Sequence, residues 1–540
     1  MSMTILHKFH RWLVHASNYE AKWRSNNETN FDYYDGDQWS EFEKEALEAR
    51  GQQATVLNMI RPTIDMVLAL EAERRVNIQV TEREEDDNLM ATLLTKLLAQ
   101  VFEQNDKDYY ASQSFREGLI GGRGWMMVRP YKDRKKQVQV SVDWVPWEEC
   151  FIDPHHRKPD GSDARYVFRK VWMDRDQVKK KWPGKSDEID SAFNEDYEGI
   201  ENEAQGEGSR FEYYDKNSER ICIVHCWYTD AEENVRYVIF SDEVFLRGSE
   251  KGENKDIIDI GMYPLIPFTA FRTRKGYPRG LVDLIKDPQD QINKLNSKYL
   301  WNVSSNRLII EEGATDDVDD AHEEFNHPNG LVVLNNGGLK KMHLDNNLNE
   351  NSYLAQHLQF MLAMMQRTSG INDAQLGYGG VNERSATQQR QRISQGNSVQ
   401  TQLMESFHFT SKRVAEVALR TIGKYFDDRR IIRIAQPNGE TEHYAVNDPV
   451  GQDESGSLVL ANEIDDLLNY DVILKSVSAY SSTKEIEMQY LTEMAKSGAL
   501  PQQLAGKMFL EASDMPNKEN YIFQLEELHK QMAAQPQPSQ

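Results

Sequence analysis

The sequence predicts an α+β protein in which helices dominate. Three observations carry that reading. Apolar residues recur at helical spacing through residues 1 to 122 and again from Leu281 to Phe426. Between them, residues 123 to 275 change to short runs rich in Val, Ile, Trp and Tyr, the pattern of strands. A small mixed segment, 303 to 345, then interrupts two helical stretches. At 540 residues the chain exceeds what one core organises, so roughly two to four subdomains are expected.

Taken in order, candidate helices span 4–26, 39–50, 58–75, 86–105 and 109–121. Tyr33-Tyr34-Asp35-Gly36-Asp37-Gln38-Trp39 reads as a turn with aromatic anchors. In the fourth helix Leu89, Leu93, Leu97 and Val101 form one stripe. Gly121-Gly122-Arg123-Gly124 closes this part. Strands are then expected at Trp125–Arg129 and Val138–Val142, joined by a charged hairpin at Lys132–Lys136, and at Arg165–Trp172 and Ile221–Tyr228. The acidic, apolar-poor segment Ser186–Gly208 reads as loop or disorder. Pro264 and Pro267 are expected to close the β region.

The stretch from Asp287 to Phe426 organises the chain. Its first helix is expected to open at Asp287-Pro288, an N-cap residue followed by proline at N1. Ile292, Leu295 and Tyr299 continue a stripe with Leu281 and Ile285 upstream. The second helix, about Ser352 to Thr368, carries Leu354, Leu358, Met361 and Met365, and Gly370 is its expected stop. Between the two, strands are expected at Arg307–Glu311, Leu331–Leu334 and Lys341–Leu344, with Asn335-Asn336-Gly337-Gly338 as a hairpin signal. The acid run Asp316, Asp317, Asp319, Asp320, Glu323 and Glu324 reads as a solvated loop. After a glycine-containing loop, Asn372 to Gly380, a long helix opens at the capping-box pattern Ser385-x-x-Gln388 and runs to Phe426, about 60 Å at 1.5 Å per residue. Between Thr387 and Gln402 its only large apolar residues are Ile393 and Val399, and it has no acid there, which suits a wet space. A hairpin is expected from Arg430–Ile434 and Glu442–Ala445, a strand at Tyr470–Val477, helices from Thr483, and a disordered tail from Gln535.

Composition excludes several classes. The net charge is −24, from 63 Lys+Arg against 87 Asp+Glu, which disfavours a surface that grips nucleic acid everywhere but not one past which DNA slides. Three cysteines, Cys150, Cys222 and Cys226, make no disulfide framework; a reducing compartment and buried structural thiols are expected. No run approaches a membrane span, and Met1–Val14 lacks the features of a signal peptide. His322 and His327 are five apart rather than the four a zinc-protease helix needs, Asp153-Pro154-His155-His156 reads as a polar turn, and there is no phosphate-cradling G-x-x-x-x-G-K-[ST] loop. The residues therefore assign no catalytic site, no metal and no cofactor. The acid run as a Mg²⁺ site for a phage nuclease is the alternative, weakened because such sites need carboxylates from different elements. A second alternative is another oligomeric scaffold that never meets DNA.

Three stretches, in their order and spacing, carry a resemblance: Tyr34-Asp35-Gly36-Asp37-Gln38-Trp39 with Asn58-Met59-Ile60-Arg61-Pro62; Tyr277-Pro278-Arg279-Gly280-Leu281 with Asp287-Pro288-Gln289-Asp290-Gln291-Ile292-Asn293; and Thr368-Ser369-Gly370-Ile371 through Gly377 to Ser385-Ala386. The chain resembles the portal, or head-to-tail connector, proteins of tailed bacteriophages, of the short-tailed podovirus kind. The resemblance implies a homo-oligomeric ring, commonly a dodecamer, at one capsid vertex of the virion, assembled in host cytoplasm, without catalysis of its own. It implies a wing at 1–280, a stem helix at 281–302, a clip at 303–350, a second stem helix at 351–370, a tunnel loop at 371–385, a long helix at 386–428, returning wing strands at 429–480 and a short crown with tail at 481–540. Double-stranded DNA would pass Asn372, Gln375, Tyr378, Arg384, Arg390 and Arg392 during packaging and ejection. The stem residues Ile292, Leu295, Tyr299, Leu354, Leu358, Met361 and Met365 would meet the neighbouring subunit. The clip acids would meet terminase and, later, tail-adaptor or head-completion proteins, and the wing the major capsid and scaffolding proteins.

Overall fold

The computed structural model describes residues 3–82, 88–194, 213–242, 244–248, 260–304, 307–326, 331–340, 342–345, 348–371, 398–426, 428–435, 441–452, 458–461, 464, 470–476, 491–492, 494, 506–510, 521–522 and 524–525. Its elements alternate as an α+β chain. The helices are α1 (Met3–Asp35), α2 (Glu41–Glu48), α3 (Ile60–Glu73), α4 (Asn88–Gln104), α5 (Lys107–Gly121), α6 (Arg175–Lys181), α7 (Ser186–Asn194), α8 (Val282–Ser304), α9 (Val318–Asn326), α10 (Leu348–Ser369) and α11 (Ser398–Tyr425). The strands are β1 (Val76–Glu82), β2 (Arg123–Lys132), β3 (Val138–Val145), β4 (Cys150–Ile152), β5 (Tyr166–Asp174), β6 (Tyr214–Asp215), β7 (Arg220–Thr229), β8 (Val235–Ser241), β9 (Val244–Arg247), β10 (Leu265–Thr269), β11 (Phe271–Arg272), β12 (Pro278–Arg279), β13 (Arg307–Ile310), β14 (Met342–Asp345), β15 (Arg430–Ala435), β16 (Thr441–Val446), β17 (Asp448–Gln452), β18 (Leu458–Ala461) and β19 (Tyr470–Ser476).

Helix α1 runs nine residues past its expected end, and polar burial is the reason. Leu6, Phe9, Leu13, Ala16, Glu20, Trp23, Asn27, Asn30 and Tyr34 are all buried, at alternating spacings of three and four. The second half of that stripe is polar, so it does not read as a core face. Asn26 and Asn30 donate to Asp283 at 2.7 and 2.9 Å and accept from Lys286 at 3.0 and 3.1 Å. The turn expected from Tyr33 therefore begins only after Asp35. Glu20 pairs with Arg123, both 3% exposed, and Arg24 lies 3.3 Å from the same carboxylate. Trp23 donates to the Gly121 carbonyl at 2.7 Å. The glycine cluster belongs to this junction. Gly122 ends α5 at φ +95°, and a side chain at Gly124 would strike the Ser114 carbonyl.

Three sheets build the first half. β10, β2 and β3 form an antiparallel trio; β4, β5, β7, β8 and β9 form a larger antiparallel sheet, with β6 also pairing β7; β11 pairs β12. The β2–β3 hairpin turns where the charged run sits, with Lys132 opposite Val138. One face of the larger sheet packs on α1 through Phe168, Val224 and Phe240, while Ile221, Ile223 and Ile239 meet Val178, Ile189 and Phe193 of α6 and α7. Residues 186–194 are thus helical rather than loop, because Ile189 and Phe193, four apart, cover that sheet face; 195–208 lie outside the described residues. Pro267 does not close the β region but sits inside β10, opposite Trp125, tolerated because β10 is an edge strand. Cys150, Cys222 and Cys226 are buried free thiols, and burial pushes the Cys222 thiol up to about 11.

The largest core joins α3, α4, α5, β2, β3, α8, α10 and α11. In α4, Leu93, Leu97 and Val101 are buried as expected, whereas Leu89 is 55% exposed and Leu94 and Leu98 widen the stripe. β1 pairs in register with β19, Val76 opposite Ser476, bringing the C-terminal region back onto the first. β15 pairs with β16, as the expected hairpin requires, and β17 with β18. Beyond residue 483 the described residues, at 491–492, 494, 506–510, 521–522 and 524–525, are helical.

Candidate functional site

The candidate site is the pair α8 and α10 with the chain ends it presents. α8 opens at Val282, one turn earlier than Asp287-Pro288 suggests, and Pro288 lies within it. Leu281, Val282 and Ile285 are fully buried, and Asp283 accepts from the Gly280 N–H at 2.9 Å. Burial and this acidic first turn offset the one hydrogen bond the proline removes. α10 ends at Ser369, with Gly370 at φ +71° as expected. The helices run antiparallel: Lys298 pairs with Glu350 at 2.7 Å, and β13 and β14 continue the hairpin with Arg307 opposite Asp345.

Each helix of the pair has distinct faces. The inner face holds Ile292 at 0%, Leu354 at 5% and Met365 at 3% exposure, with Leu358 and Met361 packed against the core. Ile292, Leu354 and Met365 are therefore committed inside the subunit, which corrects the expectation that they meet a neighbour. Leu295 and Tyr299 are half-buried. A second face of α8 is polar and buried. Gln289 accepts from Met59 N–H (3.0 Å) and donates to the Leu57 carbonyl (2.8 Å). Asn293 accepts from Leu57 N–H (3.0 Å) and donates to Gln38 (2.6 Å), and Ser297 donates to the Gln53 carbonyl (2.6 Å). These three, spaced four apart, pin the extended segment 53–59 to the helix. The outward face carries Leu300, Val303, Tyr353, Phe360 and Met364, from 36 to 64% exposed. Tyr353, His357 and Phe360 touch edge to face along it, centroids 5.9 and 6.2 Å apart. A monomer gains nothing from a lined-up exposed aromatic row; a neighbour that covers it does.

The inserted segment departs from expectation. Residues 331–334 form no strand; the pairing is β13 with β14 alone, and the turn at Gly337, φ +87°, leads into a short 3₁₀ turn. From Val318 the acid run is helical, as α9, rather than a loop, with Asp316 and Asp317 just ahead of the helix. Asp317 accepts from Asp319 and Asp320 N–H groups at 3.0 and 3.1 Å, a capping arrangement that acids favour at a helix N-terminus. Asp316 accepts from Asn335 (2.7 Å) and Glu324 from Leu331 N–H (2.9 Å), so three of the six acids hold the insertion together while Asp319, Asp320 and Glu323 stay exposed. Among the described residues no three His, Cys, Asp or Glu are grouped to hold a metal ion. The carboxylates come from α9 and the two residues that precede it, one contiguous segment, which does not suit the nuclease alternative. Around them Val318, Leu331, Val333 and Leu339 are 57 to 79% exposed.

Asn372, Gln375, Tyr378, Arg384, Arg390 and Arg392 lie outside the described residues, as do Ser385 and the first half of the long helix. The two ends of that stretch meet: Ile371 is buried, and Gln400, also buried, donates to the Gly370 carbonyl at 3.3 Å. Among the described residues no helix is long and apolar enough to cross a membrane.

The family described as "Phage P22-like portal protein" matches residues 10–263 and 235–540. A curated relative, the portal protein of Helicobacter pylori bacteriophage KHP30, is 23% identical over 420 residues, covering 77% of this chain and 66% of that protein. The chain thus spans just under two thirds of that relative's length.

Proposed function

The chain belongs to the phage P22-like portal protein family, and from that premise we propose that it assembles into a closed ring at one vertex of a phage capsid, through which the genome is packaged and ejected. The observation that carries the reading is the outward apolar row on α8 and α10. In a ring each subunit offers one patch to the next, and rotation that closes hides every patch. Leu300, Val303, Tyr353, Phe360 and Met364 are the subunit-interface residues of this proposal, with the half-buried Leu295, Tyr299, Leu358 and Met361 behind them. A dodecamer is the expected size.

In this reading α8 and α10 are the stem and 303–350 the clip. Exposed Val318, Leu331, Val333 and Leu339, with Asp319, Asp320 and Glu323, form the end that docks terminase and later the tail adaptor. Residues 1–280 form the wing toward capsid and scaffolding proteins. The β1–β19 pairing supports counting the strands of 429–480 with the wing. Residues 371–385 form the tunnel loop, held at its base by the Gln400 bond to Gly370. Arg384 there, with Arg390 and Arg392 just beyond it, touches DNA weakly, consistent with a chain of net charge −24 that lets phosphates slide.

Deleting 376–382 tests the channel. Rings form as before, but particles carrying the deletion hold less DNA or leak it. Filling and retention equal to wild type would overturn the loop's role.

A further inference from the structure

The N-terminal half of α1 carries a cationic and aromatic cluster that the proposed ring contacts and DNA channel do not use. Lys8 Nζ stands 4.5 Å from the centre of the Trp12 ring, and the Arg165 guanidinium 4.8 Å from the same ring. Trp12 is held flat by stacking on Tyr166, 4.8 Å centroid to centroid and 12° from parallel. Tyr228 closes the other side, 5.6 Å from Lys8 Nζ, and His15 stacked on His155 forms a rim beside Tyr166. Of these residues Lys8, Arg165 and Tyr228 line a groove of about 830 Å³.

The charges of this groove are unevenly used. Asp163 accepts from the N–H groups of Arg157 and Lys158 at 2.7 and 3.0 Å. Asp230 holds Arg236 at 2.5 Å and accepts from Glu232 and Asn234 N–H groups. Asp160 accepts from Ser162 N–H and faces Arg413 at 3.7 Å. Lys8 and Arg165, by contrast, have no carboxylate within ion-pair distance among the described residues, although the chain carries 87 acids. Burial, and then the nearby Arg165, lower the pKa of Lys8. Two cations beside one aromatic ring, neither with a carboxylate partner among the described residues, are short of an anion.

We propose that the Lys8–Trp12–Arg165 niche docks a carboxylate side chain of an acidic polypeptide segment of a partner protein, with the Trp12 and Tyr228 rings covering an adjacent apolar residue. A peptide suits the groove better than a nucleic acid. One carboxylate between Lys8 and Arg165 satisfies both, whereas a continuous phosphate chain would run against Asp160, Asp163, Asp230 and Glu233.

The test uses fluorescence anisotropy with the full chain and three labelled probes: a short peptide alternating glutamate with leucine and glycine, its lysine-for-glutamate counterpart, and a single-stranded oligonucleotide of similar length. The acidic peptide should bind at low salt and the basic one should not. Lys8→Gln combined with Arg165→Gln should weaken the acidic peptide about tenfold or more. Lys135→Gln with Lys136→Gln, in the β2–β3 turn, should leave it unchanged. Absence of acidic-peptide binding, binding indifferent to the Lys8/Arg165 pair, or tighter binding of the oligonucleotide through that pair would each overturn the proposal. So would tighter peptide binding by a variant whose acidic 195–207 is replaced by a neutral linker, since that result assigns the niche to the chain's own acids. Thermal melting of the double variant matching wild type excludes a folding defect.

Discussion

Replacing Phe360 separates subunit assembly from subunit folding. Phe360 is 57% exposed on the outward face of α10. A fully buried aromatic side chain covers about 150–250 Å², so roughly 100 Å² remains for a neighbour to cover. At about 25 cal/mol per Å² that is about 2.5 kcal/mol for each subunit contact. Phe360→Ala should thus weaken each contact by about 50- to 100-fold, and the loss recurs around a ring. Adding Tyr353→Ala, at a residue 64% exposed, about doubles it. The isolated subunit should hardly notice, because exposed positions usually change stability by about 0.5 kcal/mol or less. Met365, one turn on but 3% exposed, supplies the contrast. Met365→Ala should destabilise the fold by about 2–5 kcal/mol. Sedimentation velocity reads the assembly and urea unfolding reads the fold. Rings undiminished in the Phe360/Tyr353 double variant would refute the interface, as would an equal loss of fold stability in the two cases.

Two further outcomes concern the buried charges of the first half. Glu20→Ala strands Arg123, 3% exposed, without its carboxylate, and should cost about 3–5 kcal/mol in urea unfolding; a change under about 1 kcal/mol would show that the pair does not anchor α1. Burial pushes the Glu117 carboxyl up to about 8. An unfolded glutamate titrates near about 4.3, so between those values the unfolded chain releases a proton that the folded chain keeps, and stability falls as pH rises through the window. Glu117→Gln should remove that fall and melt higher than wild type above about pH 8; parallel melting curves from about pH 5 to about pH 9 would contradict it.

Much of this fold is legible locally. The stripe of α4, the β2–β3 hairpin, the Gly370 stop and the β15–β16 pair follow from residue spacing and turn chemistry. What escapes the sequence is set by distant partners. β1 is a strand because β19, nearly four hundred residues later, pairs with it. α1 extends through Asn30 because Asp283 and Lys286 satisfy the Asn26 and Asn30 amides. Pro288 fails to start α8 because Leu281, Val282 and Ile285 are already in the core. For the candidate site, periodicity locates the stem helices but selects their most regular apolar stripe, and the most regular stripe is the one the subunit keeps for itself. The outward row, Tyr353, Phe360 and Met364, has the same helical spacing in aromatic and sulfur residues. The Gln289, Asn293 and Ser297 ladder is visible only as polar residues four apart.

Either this chain closes into a ring around a channel or it does not. Electron micrographs of the purified protein decide between the two. A ring gives end-on views with a central hole and a fixed number of subunits, and side views with a narrow stem and clip below a broad wing. Monomers only, or compact particles without a hole, under conditions where the protein is folded, would contradict it.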